Sequence, residues 1–261
     1  MNTDVSMELL SDIAHRAGRA VMEIYNEGGD IAVTNKDDDS PLTRADTASH
    51  GVIVRELTEA YPDIPIISEE GKNVPLSVRR DWRLFFLVDP LDGTKEFIRR
   101  NGEFTVNIAL VKGRHPVAGV VFAPAIDLLY AGAEGREAFR EKGGDREPIP
   151  REHPERSGRV AVRSRSHADP AEEEILSRYN VSDTVSMGSS LKFCLVADGT
   201  ADIYVRSGPT YEWDTAAAHG VVRAAGGRVL ADGEELLYNK ETLLNPGFIC
   251  LASGIEPAMS K

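Results

Sequence analysis

Asp89 and Asp92 stand three residues apart, with Gly93 and Thr94 directly behind them, in the stretch Leu84–Arg100, LFFLVDPLDGTKEFIRR. Two carboxylates at that spacing, at the end of a rigid run, can both bend onto one point. Their repulsion there is costly unless a cation lies between them. Hard oxygen ligands of this kind suit Mg²⁺, which keeps several waters and shares substrate phosphate oxygens. Pro90 sets its own φ and pushes Asp89 toward an extended conformation. Gly93 permits a turn or a close backbone approach. Taken alone, the segment reads more simply as a polar turn capping the next helix, with Asp92 or Thr94 as N-cap. Two further acidic stretches shift the balance. Ile66-Ile67-Ser68-Glu69-Glu70-Gly71 again ends an apolar run in carboxylates, and Glu212-Trp213-Asp214-Thr215 places acids where a helical pattern starts. Three separated segments that deliver acids beside Gly, Ser or Thr suggest convergence on a metal cluster.

The elements that must position these residues are legible from periodicity. Leu84–Val88 reads as a buried strand stopping at Asp89. Leu9, Leu10, Ile13, Ala14, Ala17, Val21 and Ile24 recur at helical spacing, with Gly28-Gly29-Asp30 ending the helix. His15, within it, reads as a surface or packing residue. Ile31–Asn35 follows as a short strand and Lys36–Pro41 as a polar loop. Asp46 opens a second helix running to Glu59, a first-turn position where the helix dipole favours an acid. Ile64–Ser68 is a strand into Glu69. Gly71–Asp81, polar and containing Pro75, reads as a mobile flap over a site. Phe104–Val111 and Val117–Phe122 form a hairpin with three or more turn residues, and His115 in that turn is expected to face solvent. Leu128–Gly132 and Glu137–Arg140 are short strands.

Gly143–Arg159, rich in Gly, Pro and charge, marks the boundary between two halves, 1–155 and 156–261. Beyond it come a strand at Arg159–Arg163, a helix from Asp169-Pro170, a strand at Val181–Ser186 and a helix at Leu191–Asp198 introduced by Gly188-Ser189-Ser190. Ala201–Val205 is a strand, Asp214–Ala225 a small-residue helix, and Arg228–Leu230 and Phe248–Ala252 late strands. Strands alternating with helices imply an α/β or α+β layered fold.

Composition narrows the function. The formal charge of -12 over 261 residues argues against nucleic acid as partner, which calls for a basic stripe. A small anion remains compatible, because metal ions held by acids attract phosphate. No apolar run is long enough to span a bilayer, and the start lacks the features of a signal peptide. The expectation is a cytoplasmic protein. Peripheral attachment to the inner membrane stays open, although the acidity disfavours anionic lipid. Cys194 and Cys250 lie in apolar surroundings without a C-x-x-C pattern, so they are expected reduced and buried, with no zinc site.

Ser68-Glu69-Glu70, Asp89-Pro90-Leu91-Asp92-Gly93-Thr94 and Trp213-Asp214-Thr215 resemble the three signatures of the inositol-monophosphatase-like superfamily of metal-dependent phosphatases. The longer segments DPLDGTKEFIRRNGEFTVNIAL and GSSLKFCLVADGTADIYVRSGPTYEWDTAAAHG resemble the bacterial 3'(2'),5'-bisphosphate nucleotidases of the CysQ type. That resemblance covers nearly the whole chain, in order. It implies an αβαβα sandwich of the inositol monophosphatase/fructose bisphosphatase type with the active site between the halves. It also implies Mg²⁺, two or three ions, and a homodimer by analogy.

By the same resemblance, Glu69, Asp89 and the carbonyl of Leu91 hold one ion, while Asp89, Asp92 and Asp214 hold another, with Asp89 bridging. Glu70 is the weaker of its pair. Asp46 and Thr94 orient an attacking water activated by metal, with Glu69 contributing to catalysis, and Gly93 and Thr94 offer N–H groups to the phosphate. His167, Ser189, Lys192 and Arg206 match positions that contact adenosine bisphosphate, alongside Glu69, Leu91, Asp92 and Asp214. A Lys and an Arg suit a substrate with two phosphates. The family's Pro-Arg-Phe-Gly-Pro-Thr is here Val205-Arg206-Ser207-Gly208-Pro209-Thr210, which alters the base pocket. The implied reaction is hydrolysis of adenosine 3',5'-bisphosphate to AMP and phosphate, in sulfur assimilation. An inositol or sugar phosphatase on the same metals, and a non-catalytic nucleotide-binding or scaffold protein, are the competing readings.

Overall fold

The computed structural model describes residues 5–27, 33–35, 41–151, 157–164 and 170–258. Its centre is a seven-stranded sheet whose spatial order follows the chain: Ile66–Ser68, Leu84–Asp92, Thr105–Lys112, His115–Ala123, Leu128–Ala133, Ala138–Lys142 and Asp145–Ile149. The first pair is parallel and every later pair antiparallel. Leu84–Val88 is apolar without interruption because both of its faces are covered. Phe86 and Val88 face helices α1 (Met7–Asn26) and α2 (Arg44–Ala60), while Phe85 and Leu87 face the interior of the molecule. Ser6 caps α1 by accepting the Leu9 N–H at 3.2 Å. His15 packs its ring 4.4 Å from that of Phe122.

A second sheet of six strands runs in the order Val181–Met187, Arg159–Ser164, Ile203–Arg206, Phe248–Leu251, Arg228–Ala231 and Glu234–Glu235. Between the two sheets lie the helices Leu191–Ala197 and Glu212–Ala224. The helix Pro170–Ser177 covers the outer face of the second sheet through Leu176, beside Tyr179, Ile203 and Val205. The layers are therefore αβαβα, as the resemblance implies. The central core contains residues of both sheets and both intervening helices, Leu87 and Ala109 with Ala217, Tyr204 and Cys250. Cys194 and Cys250 are free thiols buried there.

The Glu212–Ala224 helix lies close to the first sheet because both surfaces are small. A Cβ built on Gly119 meets the Ala217 carbonyl oxygen at 1.9 Å. Gly119→Ala must push the helix away, and overpacking of this kind costs about 1–3 kcal/mol. We expect a lowered unfolding midpoint in urea, together with weaker binding of the metal that the resemblance assigns to Asp214 on this helix.

Several expectations need correction. The strand from Leu84 does not stop at Asp89; it continues to Asp92, with a register irregularity between the two acids. The hairpin turn has two residues, Gly113 and Arg114, because Lys112 pairs with His115. His115 is only half-exposed, 3.4 Å from Glu235. The boundary segment from Gly143 contains a strand, Asp145–Ile149, paired with Ala138–Lys142. As an edge strand it tolerates charges and Pro148.

The flap reading of Gly71–Asp81 fails at its far end, where Leu76–Arg79 is a helical turn and Arg79 is buried. Arg79 donates to the Val74 carbonyl, to Asn239 Oδ1 at 2.6 Å and to the Glu241 carbonyl, while Asn239 Nδ2 donates back to the Arg79 carbonyl. The adjoining Glu212 carboxylate is itself buried. It accepts the N–H groups of Asn239 and Lys240 and the Lys240 ammonium. Glu212 lies two residues before Asp214, so this bonded cluster ties the 71–81 segment to the start of that helix.

Candidate active site

Glu69 follows the strand Ile66–Ser68 and prolongs its pairing, its N–H donating to the Val88 carbonyl at 3.1 Å. The Gly71 N–H returns to the Ser68 carbonyl in a tight turn, and Ser68 Oγ is 2.9 Å from His50 Nδ1 on the second helix. Asp89 follows Val88 and so shares the inward face of Leu87. Asp214 enters from the opposite side, in the first turn of its helix, where its carboxylate accepts the Tyr211 N–H at 2.8 Å.

Oxygens of Glu69, Asp89 and Asp214 lie within 4.8 Å of one another. Asp92 stands beside this group, near enough for its charge to act on both Asp89 and Asp214. Burial pushes the Asp89 carboxyl well above the usual carboxylate range. The charges of Glu69, Asp92 and Asp214 and a hydrogen bond with Glu69 add to that rise. Asp214 is raised by the same causes: burial first, then Asp92 and Glu69. Acids crowded enough to raise the pKa values of Asp89 and Asp214 fit divalent cations well, because a cation removes the repulsion and replaces lost hydration.

The other predicted residues occupy defined places around the group. Leu91 is buried; its N–H donates to Asp89 Oδ1 at 3.0 Å and its carbonyl accepts a long 3.4 Å bond from Thr94 Oγ1. Gly93 has φ +89°, and a Cβ there would lie 3.3 Å from the Ser189 Cβ. Asp46 is buried in the first turn of α2, accepting both the N–H and the hydroxyl of Thr43, at 2.8 and 2.7 Å. Ser49 Oγ donates to the Pro90 carbonyl at 2.7 Å, joining α2 to the Asp89–Asp92 loop. His167 lies outside the described residues.

Asp92 and Asp214 also line a cleft of about 190 Å³ together with Ser189, Lys192 and Arg206. Lys192 is nine-tenths buried and donates from Nζ to the Ser189 carbonyl at 2.7 Å. Burial lowers its pKa; Asp92 and Glu96 oppose that, Arg206 reinforces it and Glu103 opposes it. The Arg206 Nε is buried without a hydrogen-bond partner among the described residues. A cleft lined by both acids and cations can hold a metal and an anion side by side.

Three bonded residues escaped the sequence reading. Ser190 contacts Asp92 and Asp214, Asn107 contacts Ser190, and Glu103 accepts the Gly188 N–H at 2.8 Å. The available signal was Asn107 itself, a lone amide inside the apolar strand Thr105-Val106-Asn107-Ile108-Ala109-Leu110. A buried polar side chain in such a run must be hydrogen-bonded.

Residues 4–257 match the family model described as the inositol monophosphatase family. The 3'(2'),5'-bisphosphate nucleotidase CysQ of Salmonella typhimurium is 48% identical over 246 residues, 93% of this chain and 98% of that protein. The protein of the same name from Escherichia coli K12 is 47% identical over the same shares. Among solved structures, CysQ from Bacteroides thetaiotaomicron superposes with a TM-score of 0.84 at 42% identity, covering 95% of this chain and 97% of that one.

Proposed function

Because the chain belongs to the inositol monophosphatase family, we propose that it is a metal-dependent phosphatase acting on nucleoside 3'(2'),5'-bisphosphates. It converts adenosine 3',5'-bisphosphate to AMP and inorganic phosphate. The observation that carries this reading is that Asp92 and Asp214, which adjoin the acid group of Glu69 and Asp89, line one cleft together with the cations Lys192 and Arg206. A phosphate monoester needs only the acids and their metal. A ligand with a second phosphate also needs the cations.

Glu69, Asp89, Asp92, Asp214 and the Leu91 carbonyl are the residues we assign to Mg²⁺, two or three ions. Such ions supply Lewis acidity, neutralising phosphoryl oxygens and acidifying water. Asp89, the most buried of these carboxylates, would be shared between the ions when they are bound. Asp46 and Thr94 hold the water in line, Asp46 being fixed by its two bonds to Thr43. Gly93 and Thr94 present backbone N–H groups to the scissile phosphate, and the positive φ of Gly93 sets their direction. Ser189, Lys192 and Arg206 take the second phosphate and the sugar. No helix among the described residues is long and apolar enough to cross a membrane.

The test is phosphate release from adenosine 3',5'-bisphosphate and from inositol 1-phosphate, each with Mg²⁺ and with EDTA. The nucleotide should be turned over about tenfold faster or more, the effect of one additional charge-assisted contact. Both rates should fall to background in EDTA. Equal or preferred turnover of inositol 1-phosphate would replace the nucleotide by an inositol phosphate. Turnover of neither would leave a nucleotide-binding protein without catalysis.

A further inference from the structure

Ser190 has no part in the assignment above, yet it touches both Asp92 and Asp214. It is 1% exposed. Its N–H donates to Asp92 Oδ2 at 2.6 Å, and its Oγ lies 2.8 Å from that same oxygen. Ser190 Oγ is also 2.7 Å from the backbone carbonyl of Asp214 and accepts the Asn107 Nδ2–H at 2.9 Å. A hydroxyl has one proton to give. Here it has two acceptors, a carboxylate and a carbonyl, and one donor. Asp92 already holds the backbone N–H, so the hydroxyl proton is free to bridge toward Asp214. Ser190 precedes the helix Leu191–Ala197 in the position of an N-cap, but its side chain makes no capping bond to that helix. Its hydroxyl lies instead between Asp92 Oδ2 and the Asp214 backbone carbonyl.

Asn107 explains where Ser190 takes its own orientation. In the antiparallel pair of strands, Asn107 stands directly opposite Asp89, and opposed residues present their side chains on one face. Asn107 is fully buried, and its Oδ1 has no hydrogen-bond partner among the described residues, so its bonding is directed through Nδ2 to Ser190. One path of contacts thus runs from the strand pair holding Asp89, through Asn107 and Ser190, to Asp92 and to the backbone of Asp214.

We propose that Ser190 is a positioning residue of the metal centre. It holds one oxygen of Asp92 and the backbone of Asp214 at a fixed separation, and Asn107 ties that separation to Asp89. The proposal rests on the reading that Asp92 and Asp214 hold cations. Residues that orient metal ligands typically change metal affinity by about 10–100-fold when removed. Ser190 also adjoins Ser189, whose carbonyl holds Lys192, so the same residue joins the metal centre to that cation.

The experiment is Mg²⁺ titration of the full chain, read by calorimetry and by the Mg²⁺-dependent rise in unfolding midpoint. It compares wild type, Ser190→Ala, Ser190→Thr, Asn107→Ala and the Ser190→Ala/Asn107→Ala double variant. Ser190→Ala should weaken Mg²⁺ by about 10–100-fold, with kcat at saturating Mg²⁺ reduced much less. Ser190→Thr, which keeps the hydroxyl, should recover most of the affinity. Asn107→Ala should act in the same direction, and the double variant should match Ser190→Ala, because Asn107 works through Ser190. Mg²⁺ affinity of Ser190→Ala within twofold of wild type, or additive losses in the double variant, overturns the proposal. Should Ser190→Ala fail to fold, unchanged affinity in Asn107→Ala overturns it in the same way. Wild type that binds Mg²⁺ but releases no phosphate from adenosine 3',5'-bisphosphate removes the functional reading alone, and the affinity comparison still decides the role of Ser190.

Discussion

On the proposed assignment of Asp89 to the metal ions, Asp89→Asn is expected to lower kcat on adenosine 3',5'-bisphosphate by about a thousandfold or more, since losing such a ligand removes several kcal/mol of charge stabilisation. The fold should survive, because asparagine has nearly the same shape and removes a charge that burial and three neighbouring acids disfavour. The pH dependence of the metal-free protein provides a second readout. The folded-state pKa values of Asp89 and Asp214 are raised above 3.8. Their contribution to stability is therefore fully present below the unfolded value and is lost as pH rises through the folded values. Wild type in EDTA should become less heat-stable as pH climbs from acid toward neutral and above. Mg²⁺ should restore more stability at pH 8 than at pH 6, because only the ionised acids bind it. Asp89→Asn should show a shallower decline with pH in EDTA and a much smaller gain from Mg²⁺. Thermal melts across pH with EDTA or Mg²⁺ decide this, and wild-type turnover by the variant would remove Asp89 from the bridging position.

Lys192→Ala is expected to raise KM for adenosine 3',5'-bisphosphate by about 10–100-fold with little change in kcat. Losing a hydrogen bond to a charged group costs about 1.5–3 kcal/mol. The Lys192 stem is buried and its ammonium is fixed by the Ser189 carbonyl, so little side-chain entropy is lost when an anion binds. Its Nζ also lies 5.5 Å from the Tyr204 ring centroid, an arrangement that favours the cation. Phosphate release from p-nitrophenyl phosphate, which has a single phosphate, should be nearly unaffected. Equal losses on both substrates would show that Lys192 serves the reacting centre or the fold, and the two-phosphate reading would lose its main support. The same comparison with Arg206→Ala should give a change of the same sign.

The acid-bearing turns were readable because their determinants are local. The bulky run Leu84–Val88 allows only a strand buried on both faces, and Gly93 adopts the positive φ that its residue type favours. The small residues of Asp214–Ala225 announced a closely packed helix, and Gly119 supplies the matching surface on the sheet. Asp145–Ile149 was hidden for the opposite reason. Asp-Arg-Glu-Pro-Ile has the composition of a loop, and only its neighbour Ala138–Lys142 makes it a strand. The far end of Gly71–Asp81 resembles a mobile segment in sequence because polarity looks like mobility when the partner is unknown. Arg79 is buried there by Asn239 and Glu241, 160 and 162 positions away.

By itself, then, the order of residues determined which segments turn, which run through the core, and which carboxylates are available for a metal. Only the tertiary structure decided how those carboxylates are held. It placed oxygens of Glu69, Asp89 and Asp214 within 4.8 Å of one another, left Asp92 bonded to Ser190, and brought Lys192 and Arg206 into one cleft with Asp92 and Asp214. The reason is physical: backbone preferences and apolar spacing act over a few residues and survive in any window of sequence. The distance between two side chains 98 or 125 positions apart, as for Asp92–Ser190 and Asp89–Asp214, is set by how two sheets and two helices pack.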